Sequence, residues 1–300
     1  MATLEARAAT PHRQPALDRV PASGLVLGAV FSIQFGAALA ATLFDDIGPG
    51  GTVTLRLLFA AIVLLLLWRP RLTAYTAADL RLALVFGLVL GGMNAFFYES
   101  IDRIPLGVAV TLEFVGPLGV AIAGSRRGLD LVWAGLAAVG IVLLGGGVGG
   151  ANDGLGVAFA LIAGGCWAAY ILLNTRLGKR FPGGSGLAIG MSVSAIAALP
   201  LGIADGGSDL LDPGVLAIGL AVALLSSAIP YSLELEALRR VPAKTFGVLM
   251  SLEPAAATLS GLVVLGQSLH ALDLLAIALV VAASIGATLE ARRPEPPVDA

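Results

Sequence analysis

Apolar residues fill ten long runs along the chain, and short polar segments separate them. Each run approaches the roughly 20 residues that an α-helix needs to cross about 30 Å of hydrocarbon. The runs cover residues 23–44, 51–68, 80–101, 105–124, 129–148, 155–176, 184–203, 213–236, 242–265 and 269–289. The pattern therefore predicts an all-α membrane protein with ten transmembrane helices and no separate soluble domain.

The two ends of the chain differ from this pattern. Residues 1–22 are largely polar, are interrupted by proline, and carry Arg7, Arg13 and Arg19. Residues 291–300 are rich in charge and proline. We expect a disordered tail at the N-terminus and a second short tail at the C-terminus, both on the cytoplasmic side.

The distribution of Lys and Arg predicts this orientation. With the N-terminus in the cytoplasm, all but two of the 18 basic residues fall in segments on the inner face. The exceptions are Arg103, in an outer loop, and Arg56, inside the second run. Because basic residues are enriched in cytoplasmic loops, the positive-inside rule predicts both termini in the cytoplasm.

One stretch of the chain occurs twice. Residues 98–117 recur without a gap as residues 235–254, so that Glu99 matches Glu236, Arg103 matches Arg240 and Pro117 matches Pro254. A weaker echo pairs PGGT at 49–52 with PGGS at 182–185. Five helices are an odd number, so the second half enters from the opposite face. We predict two inverted five-helix repeats, 23–148 and 155–290, an arrangement that many carriers use.

Composition excludes several other classes. A chain that is 57% hydrophobic and 13% charged is too apolar for a soluble domain. Its one cysteine, Cys166, cannot form an intramolecular disulfide or a cysteine-based metal site. The catalytic motifs of an intramembrane enzyme and the filter sequence of a channel are both missing from the sequence. We expect a carrier without cofactor, metal or nucleic-acid partner, and the sequence leaves its oligomeric state open.

Five stretches, spread over about residues 23–290, carry a family resemblance. They are SIQFGAALA at 32–40, FYESIDRIPLGVAVTLEFVGPLGVA at 97–121, SRR at 125–127, CWAAYIL at 166–172 and IPYSLELEALRRVPAKTFGVLMSLEPAAATLSG at 229–261. They resemble the drug/metabolite transporter superfamily with its two EamA-type halves, most closely its bacterial threonine/homoserine exporter family. Two positions depart from the family pattern: Ala41 stands where a lysine is expected, and Gln267 where an acidic residue is common.

The resemblance implies a function. It implies export of small neutral amino acids across the bacterial plasma (inner) membrane, by exchange for protons. The alternative is export of other small metabolites or of amphipathic drugs, which the same superfamily transports.

Two carboxylates are predicted near the middle of the bilayer. Glu113 lies roughly 12 Å from the outer end of the fourth run, and Glu253 roughly 16 Å from the inner end of the ninth, at about 1.5 Å per residue. A charged, unpaired carboxylate there costs several kcal/mol, so such residues are often proton carriers. The alternative is a neutral acid that only bonds to a neighbouring helix. Pro117 and Pro254 free the carbonyls four residues earlier, for a hinge or for a ligand.

Other polar groups inside the runs are candidates for the substrate pocket. Arg56 is either a counter-ion for Glu113 or for a substrate carboxylate, or a structural partner that reaches the surface. The pocket candidates, for which helix packing is the alternative, are Gln34, Asn94, Tyr98, Trp167, Tyr170 and Tyr231.

Two ion pairs are predicted at the rims. Glu99 with Arg103 and Glu236 with Arg240 have the i,i+4 spacing with glutamate first, which favours pairing on a helix. The two pairs either act as alternating gates or only stabilise the ends of their helices. Glu234 lies on another face from Glu236, so it is expected to point into the inner vestibule.

Overall fold

The computed structural model describes residues 20–123, 128–145, 153–238, 240 and 243–290, and regular secondary structure in these ranges is entirely helical. The α-helices there are α1 (Ala22–Ala41), α2 (Phe44–Trp68), α3 (Ala77–Ile101), α4 (Leu106–Glu113), α5 (Val115–Ala123), α6 (Gly128–Gly145), α7 (Gly154–Arg180), α8 (Ser185–Gly206), α9 (Pro213–Ala223), α10 (Ile229–Leu238), α11 (Ala243–Met250), α12 (Glu253–Leu265) and α13 (Ala271–Glu290). The predicted all-α class is confirmed for these residues.

The described helices are suited to a membrane. Seven of them are long and apolar enough to cross it, and three shorter apolar helices cover Leu106–Val120, Leu131–Leu144 and Pro213–Ser227. The shorter helices fall on the fourth, fifth and eighth predicted runs, so each of the ten runs contains helix in the part that the structure describes. The chain is a multi-pass membrane protein. Residues 1–19 and 291–300 of the predicted tails lie outside the described residues.

Prolines break two of the predicted spans. α4 ends at Glu113, four residues before Pro117, and α11 ends at Met250, four residues before Pro254. A proline has no N–H to donate and clashes with the carbonyl four residues earlier, so a regular helix ends there. The breaks therefore lie where the sequence predicts the freed carbonyls. A hinge role for Pro117 and Pro254 stays a prediction.

The eighth span is irregular in a different way. A single π-helical turn, Leu224–Ala228, separates α9 from α10, and the N–H of Ile229 donates to the carbonyl of Leu224. Pro230 follows directly, and its missing N–H disturbs the ordinary α-helical hydrogen bonds nearby. Such π turns are frequent at functional sites.

The two similar segments PGGT at 49–52 and PGGS at 182–185 both lie at the start of a helix. A kink at Gly48, with a φ of 67°, divides α2, so that its long apolar part begins at Pro49. The kink is held from another helix, because the Gly50 N–H donates to Asp205 Oδ2 at 2.9 Å. Residues 182–185 likewise lie at the start of α8. The predicted start of the second span at residue 51 is therefore two residues late.

The packing puts α4 in the interior of the bundle. α4 packs against α7 and α12, and all its residues from Leu106 to Glu113 are buried. Around it, α1 packs against α10 and α12, α2 against α8 and α9, α3 against α7 and α8, and α6 against α13. Close approach needs small residues, because a Cβ atom at Gly164 would lie 2.7 Å from the Glu113 carbonyl oxygen. Glu113 is thus held in the interior of the helix bundle.

Candidate functional site

A cavity of about 230 Å³ lies where α1, α2, α3, α4 and α7 meet the π turn, α10, α11 and α12. We call it the central cavity. Its polar lining residues are Gln34, Arg56, Asn94, Glu113, Ser226, Glu234 and Glu253. Its apolar and aromatic lining residues are Ile33, Ala37, Leu90, Met93, Phe97, Val110, Trp167, Tyr170 and Met250. The cavity therefore collects charged, polar and aromatic groups from both halves of the chain.

Three carboxyl groups line the central cavity. Glu113 is the last residue of α4 and is 8% exposed, while Glu253 is the first residue of α12 and is 5% exposed. Glu234, on α10, is close enough to act electrostatically on Glu253, and so is Glu113. The proline breaks put Glu113 and Glu253 at helix ends, where the backbone is already irregular. The arrangement gives the cavity more acidic than basic side chains.

Among the residues that the structure describes, Arg56 is the one basic residue that lines the central cavity. Its Nη1 donates to the Tyr98 hydroxyl at 3.3 Å, and its guanidinium carbon lies 5.5 Å from the centre of the Tyr98 ring. Tyr98 is fully buried and packs against Phe44, with the ring centres 5.8 Å apart. The charge of Arg56 also acts on Glu113. Tyr98 thus holds Arg56 from behind and is not itself a lining residue.

Aromatic residues of α7 form another part of the wall. Trp167 and Phe114 form a T-shaped pair with 5.4 Å between ring centres, and Tyr170 packs against Phe86 at 5.2 Å. Trp167 and Met250 also line a second cavity of about 240 Å³, which is mostly apolar and extends along α5, α11 and α13. These two side chains therefore stand between the central cavity and the second one.

Two lining residues each have a fully buried polar atom without a hydrogen-bond partner among the described residues. The atoms are Gln34 Oε1 on α1 and Ser226 Oγ in the π turn, on residues that are 3% and 5% exposed. Asn94, by contrast, donates through Nδ2 to the Leu90 carbonyl at 2.8 Å. A buried polar atom without a partner costs free energy, so the two unpartnered atoms are unfavourable for stability in this conformation.

The first predicted rim pair is present at the end of α3. Arg103 Nη2 lies 4.0 Å from Glu99 Oε2, and Arg103 Nη1 lies 3.5 Å from Asp153 Oδ2. Asp153 also caps α7 by accepting from the Leu155 N–H at 2.8 Å. Arg103 therefore joins the end of α3 to the start of α7. The side chains are about one-third exposed, so the individual pairs are weak.

The second predicted rim pair is present at the end of α10. Arg240 Nε donates to Glu236 Oε1 at 2.8 Å, and Arg240 Nη2 contacts the same oxygen. Glu234, which the sequence analysis places near this rim and expects to point into the inner vestibule, lines the central cavity.

Comparison with known proteins decides the family. A model described as the EamA-like transporter family matches residues 154–289. The threonine/homoserine exporter RhtA of Salmonella typhimurium strain LT2 is 46% identical over 272 residues, which cover 90% of this chain and 92% of that protein. RhtA of Escherichia coli strain K12 is 46% identical over 273 residues, with the same coverage. The chain belongs to the EamA-like transporter family.

Membership identifies the chain as a transporter rather than an enzyme, as the sequence motifs predict. The resemblance found in the sequence is confirmed by the match to RhtA over most of the chain. A crystal structure of a protein with 19% identity superimposes with a TM-score of 0.59, over 91% of this chain and 99% of that one. At this identity the likeness concerns the fold alone.

Most of the predicted pocket residues of this EamA-like transporter come together. Gln34, Arg56, Asn94, Glu113, Trp167, Tyr170 and Glu253 line one cavity, although up to 219 positions separate them along the chain. The side chain of Tyr231 lies outside the described part of the structure. Sequence reasoning missed the apolar lining residues, such as Met93 and Phe97, because nothing distinguishes them from other apolar residues of a span.

Proposed function

We propose that this EamA-like transporter exports small neutral amino acids of the threonine and homoserine type, in exchange for protons, by alternating access. The central cavity carries the proposal, because Glu113 and Glu253 line it together with Arg56. An amino-acid zwitterion has one cation and one anion, and this set of charges is complementary to both. The relatives that bear the name threonine/homoserine exporter support the choice of substrate.

The size of the central cavity favours a small substrate. Pockets for drug-sized ligands commonly hold about 300–1,000 Å³, whereas the central cavity holds about 230 Å³. Trp167 and Tyr170 supply apolar wall for a short side chain. A small amino acid therefore fits better than the alternative class of amphipathic drugs.

The excess of carboxyl groups supplies a coupling mechanism. A charged carboxylate is costly in the membrane interior unless a cation neutralises it. When the cavity is empty, a proton neutralises Glu113. When an amino acid is bound, the substrate ammonium group neutralises it instead. Proton and amino acid then exclude one another at Glu113, which is the property that an exchanger needs. Glu253 is the alternative coupling group, since it is equally buried and lines the same cavity.

Two observations support the inverted repeats that alternating access would use. Under the offset of the sequence repeat, α4 at 106–113 corresponds to α11 at 243–250, so both broken helices have the same limits. The contacts are also paired, because α3 packs on α7 as α1 packs on α10, and α3 packs on α8 as α2 packs on α9. On this proposal Arg103 and Arg240 belong to gates at opposite faces of the bacterial inner membrane, with both termini in the cytoplasm.

The test is transport by the purified protein in liposomes. Labelled threonine and homoserine are followed with and without a pH gradient, for the wild type, Glu113→Gln and Glu253→Gln. In the Glu113→Gln variant the new amide keeps the shape of the side chain and an oxygen that accepts from an ammonium group. We therefore expect Glu113→Gln to exchange threonine for threonine while losing the flux that the pH gradient drives.

Each remaining outcome has a meaning. If Glu253→Gln alone removes the driven flux, the coupling group is Glu253 and the assignment to Glu113 is wrong. If both variants keep normal pH-driven transport, neither carboxyl group couples and the exchange mechanism is refuted. If the wild type moves neither amino acid, the proposed substrate is wrong.

A further inference from the structure

Most of the hydrogen-bonding capacity of Arg56 is unused in this structure. A guanidinium group has five N–H donors, and among the described residues only Nη1 of Arg56 takes part in a hydrogen bond, with the Tyr98 hydroxyl. None of the ion pairs among those residues includes Arg56, although its charge acts on Glu113. Arg56 is partly exposed and lines the central cavity. A cation is therefore presented to the cavity that the proposed function assigns to the substrate.

Tyr98 fixes the direction of this cation. Its hydroxyl accepts from Arg56 Nη1 at 3.3 Å, and its ring centre lies 5.5 Å from the guanidinium carbon. Tyr98 is itself fully buried and packs against the rings of Phe44 and Phe97, with 5.8 and 6.0 Å between ring centres. The tyrosine therefore has little freedom to move. It engages Nη1 and leaves Nη2 and Nε of Arg56 available.

The available donors match a carboxylate. A planar guanidinium binds a carboxylate through two parallel hydrogen bonds, a geometry that the ammonium group of a lysine cannot offer. A side chain that is already held in its binding orientation loses less conformational freedom when the ligand arrives, so the ligand binds more tightly. Without the Tyr98 hydroxyl, the long side chain of Arg56 would distribute over several rotamers. Tyr98 thus keeps the guanidinium ready for an anionic group of a ligand.

We propose that Tyr98 is a positioning residue, which orients the guanidinium of Arg56 to bind the carboxylate of the amino acid through two hydrogen bonds. The transporter then requires a free carboxylate on its substrate. The inference rests on the proposed function and deepens it, because it divides the charges of the cavity. Arg56 takes the substrate carboxylate, and Glu113 and Glu253 remain for the ammonium group and the proton.

The test compares threonine with threonine amide, in which a neutral amide of nearly the same shape replaces the carboxylate. Labelled threonine exchange in liposomes is competed with both unlabelled compounds, and the ratio of their half-inhibitory concentrations measures the carboxylate preference. We expect the wild type to prefer threonine. Tyr98→Phe keeps the ring and removes only the hydroxyl, so it should lower this preference by about three- to tenfold, the range of one hydrogen bond. Threonine amide should compete as it does in the wild type.

Arg56→Lys is a second, independent variant, so that one substitution that fails to fold does not prevent the test. It keeps the positive charge but loses the planar fork, and the carboxylate preference should fall here as well. Tyr75→Phe is the matched control, because Tyr75 also packs against an aromatic ring, that of Phe181 at 4.6 Å, but does not line the central cavity. Its carboxylate preference should equal that of the wild type.

The outcomes separate the positioning role from the proposed function. A merely structural role of Tyr98 would weaken threonine and its amide in parallel and leave the ratio unchanged. A folded Tyr98→Phe or Arg56→Lys variant with the wild-type ratio therefore overturns the inference, while threonine exchange by the wild type keeps the proposed function intact. A wild type that exchanges neither threonine nor homoserine refutes the proposed function, and the inference with it. A lower ratio in folded Tyr98→Phe, absent in Tyr75→Phe, is the result that we expect.

Discussion

Substitution of Gln267 by leucine should destabilise the helix that carries Glu113. Gln267 follows α12, and its Oε1 accepts from the Leu106 N–H at 3.0 Å, at the start of α4. Leu106 is fully buried, and Pro105 before it is an N-cap whose side chain makes no capping hydrogen bond. The Gln267 side chain thus takes the place of a cap, and no other partner for this N–H is described. The amide oxygen of Gln267 therefore supplies a hydrogen-bond acceptor at the position where the family resemblance implies an acidic residue.

The magnitude follows from leaving one buried donor unpaired. Gln267→Leu keeps a similar volume but removes the acceptor, which costs about 1–3 kcal/mol for a buried backbone group. That corresponds to a loss of roughly 5- to 150-fold in the ratio of folded to unfolded protein. Gln267→Glu is the matched control. It retains an acceptor oxygen and adds a negative charge near a helix N-terminus, so its stability should equal or exceed that of the wild type.

The assay is equilibrium unfolding in mixed detergent micelles with increasing SDS, followed by tryptophan fluorescence. We expect the midpoint of Gln267→Leu to move to lower SDS, and that of Gln267→Glu to stay or rise. The shift should be accompanied by weaker threonine exchange, because the start of α4 determines the depth of Glu113. Equal midpoints for the leucine variant and the wild type would refute the view that Gln267 caps α4.

Two further predictions concern orientation and gating. A cysteine at Asp209 should react with an impermeant reagent added outside intact cells, and one at Lys179 should not. The reason is that nearly all basic residues lie inside when both termini are in the cytoplasm. Reversed labelling would refute this topology. Removal of Arg103 and of Arg240 should shift accessibility in opposite directions, by about 1 kcal/mol each, since exposed ion pairs are weak. Equal loss of folded protein in both variants, without opposite shifts in accessibility, would mean that the pairs only end their helices.

The local features of this transporter could be predicted from the sequence. The ten spans depend on runs of apolar residues, which must be helical because the bilayer offers no other partners for the backbone. The breaks after Glu113 and Met250 depend on Pro117 and Pro254, whose missing N–H is a covalent property. The rim pairs depend on a spacing of four residues on one helix. Each of these causes acts within a few residues of the chain.

The site itself was decided by tertiary packing. The sequence nominated Gln34, Arg56, Asn94 and Glu113 as candidates for a pocket, with structural roles as the alternative, and only the folded structure brings them to one cavity. Nor did the sequence reveal that the Tyr98 hydroxyl accepts a hydrogen bond from Arg56 behind the cavity wall. The physical reason is that apolar helices in lipid pack by close fit of small residues and by a few polar contacts. Such contacts join residues far apart in the chain, so no local pattern of polar and apolar positions determines them.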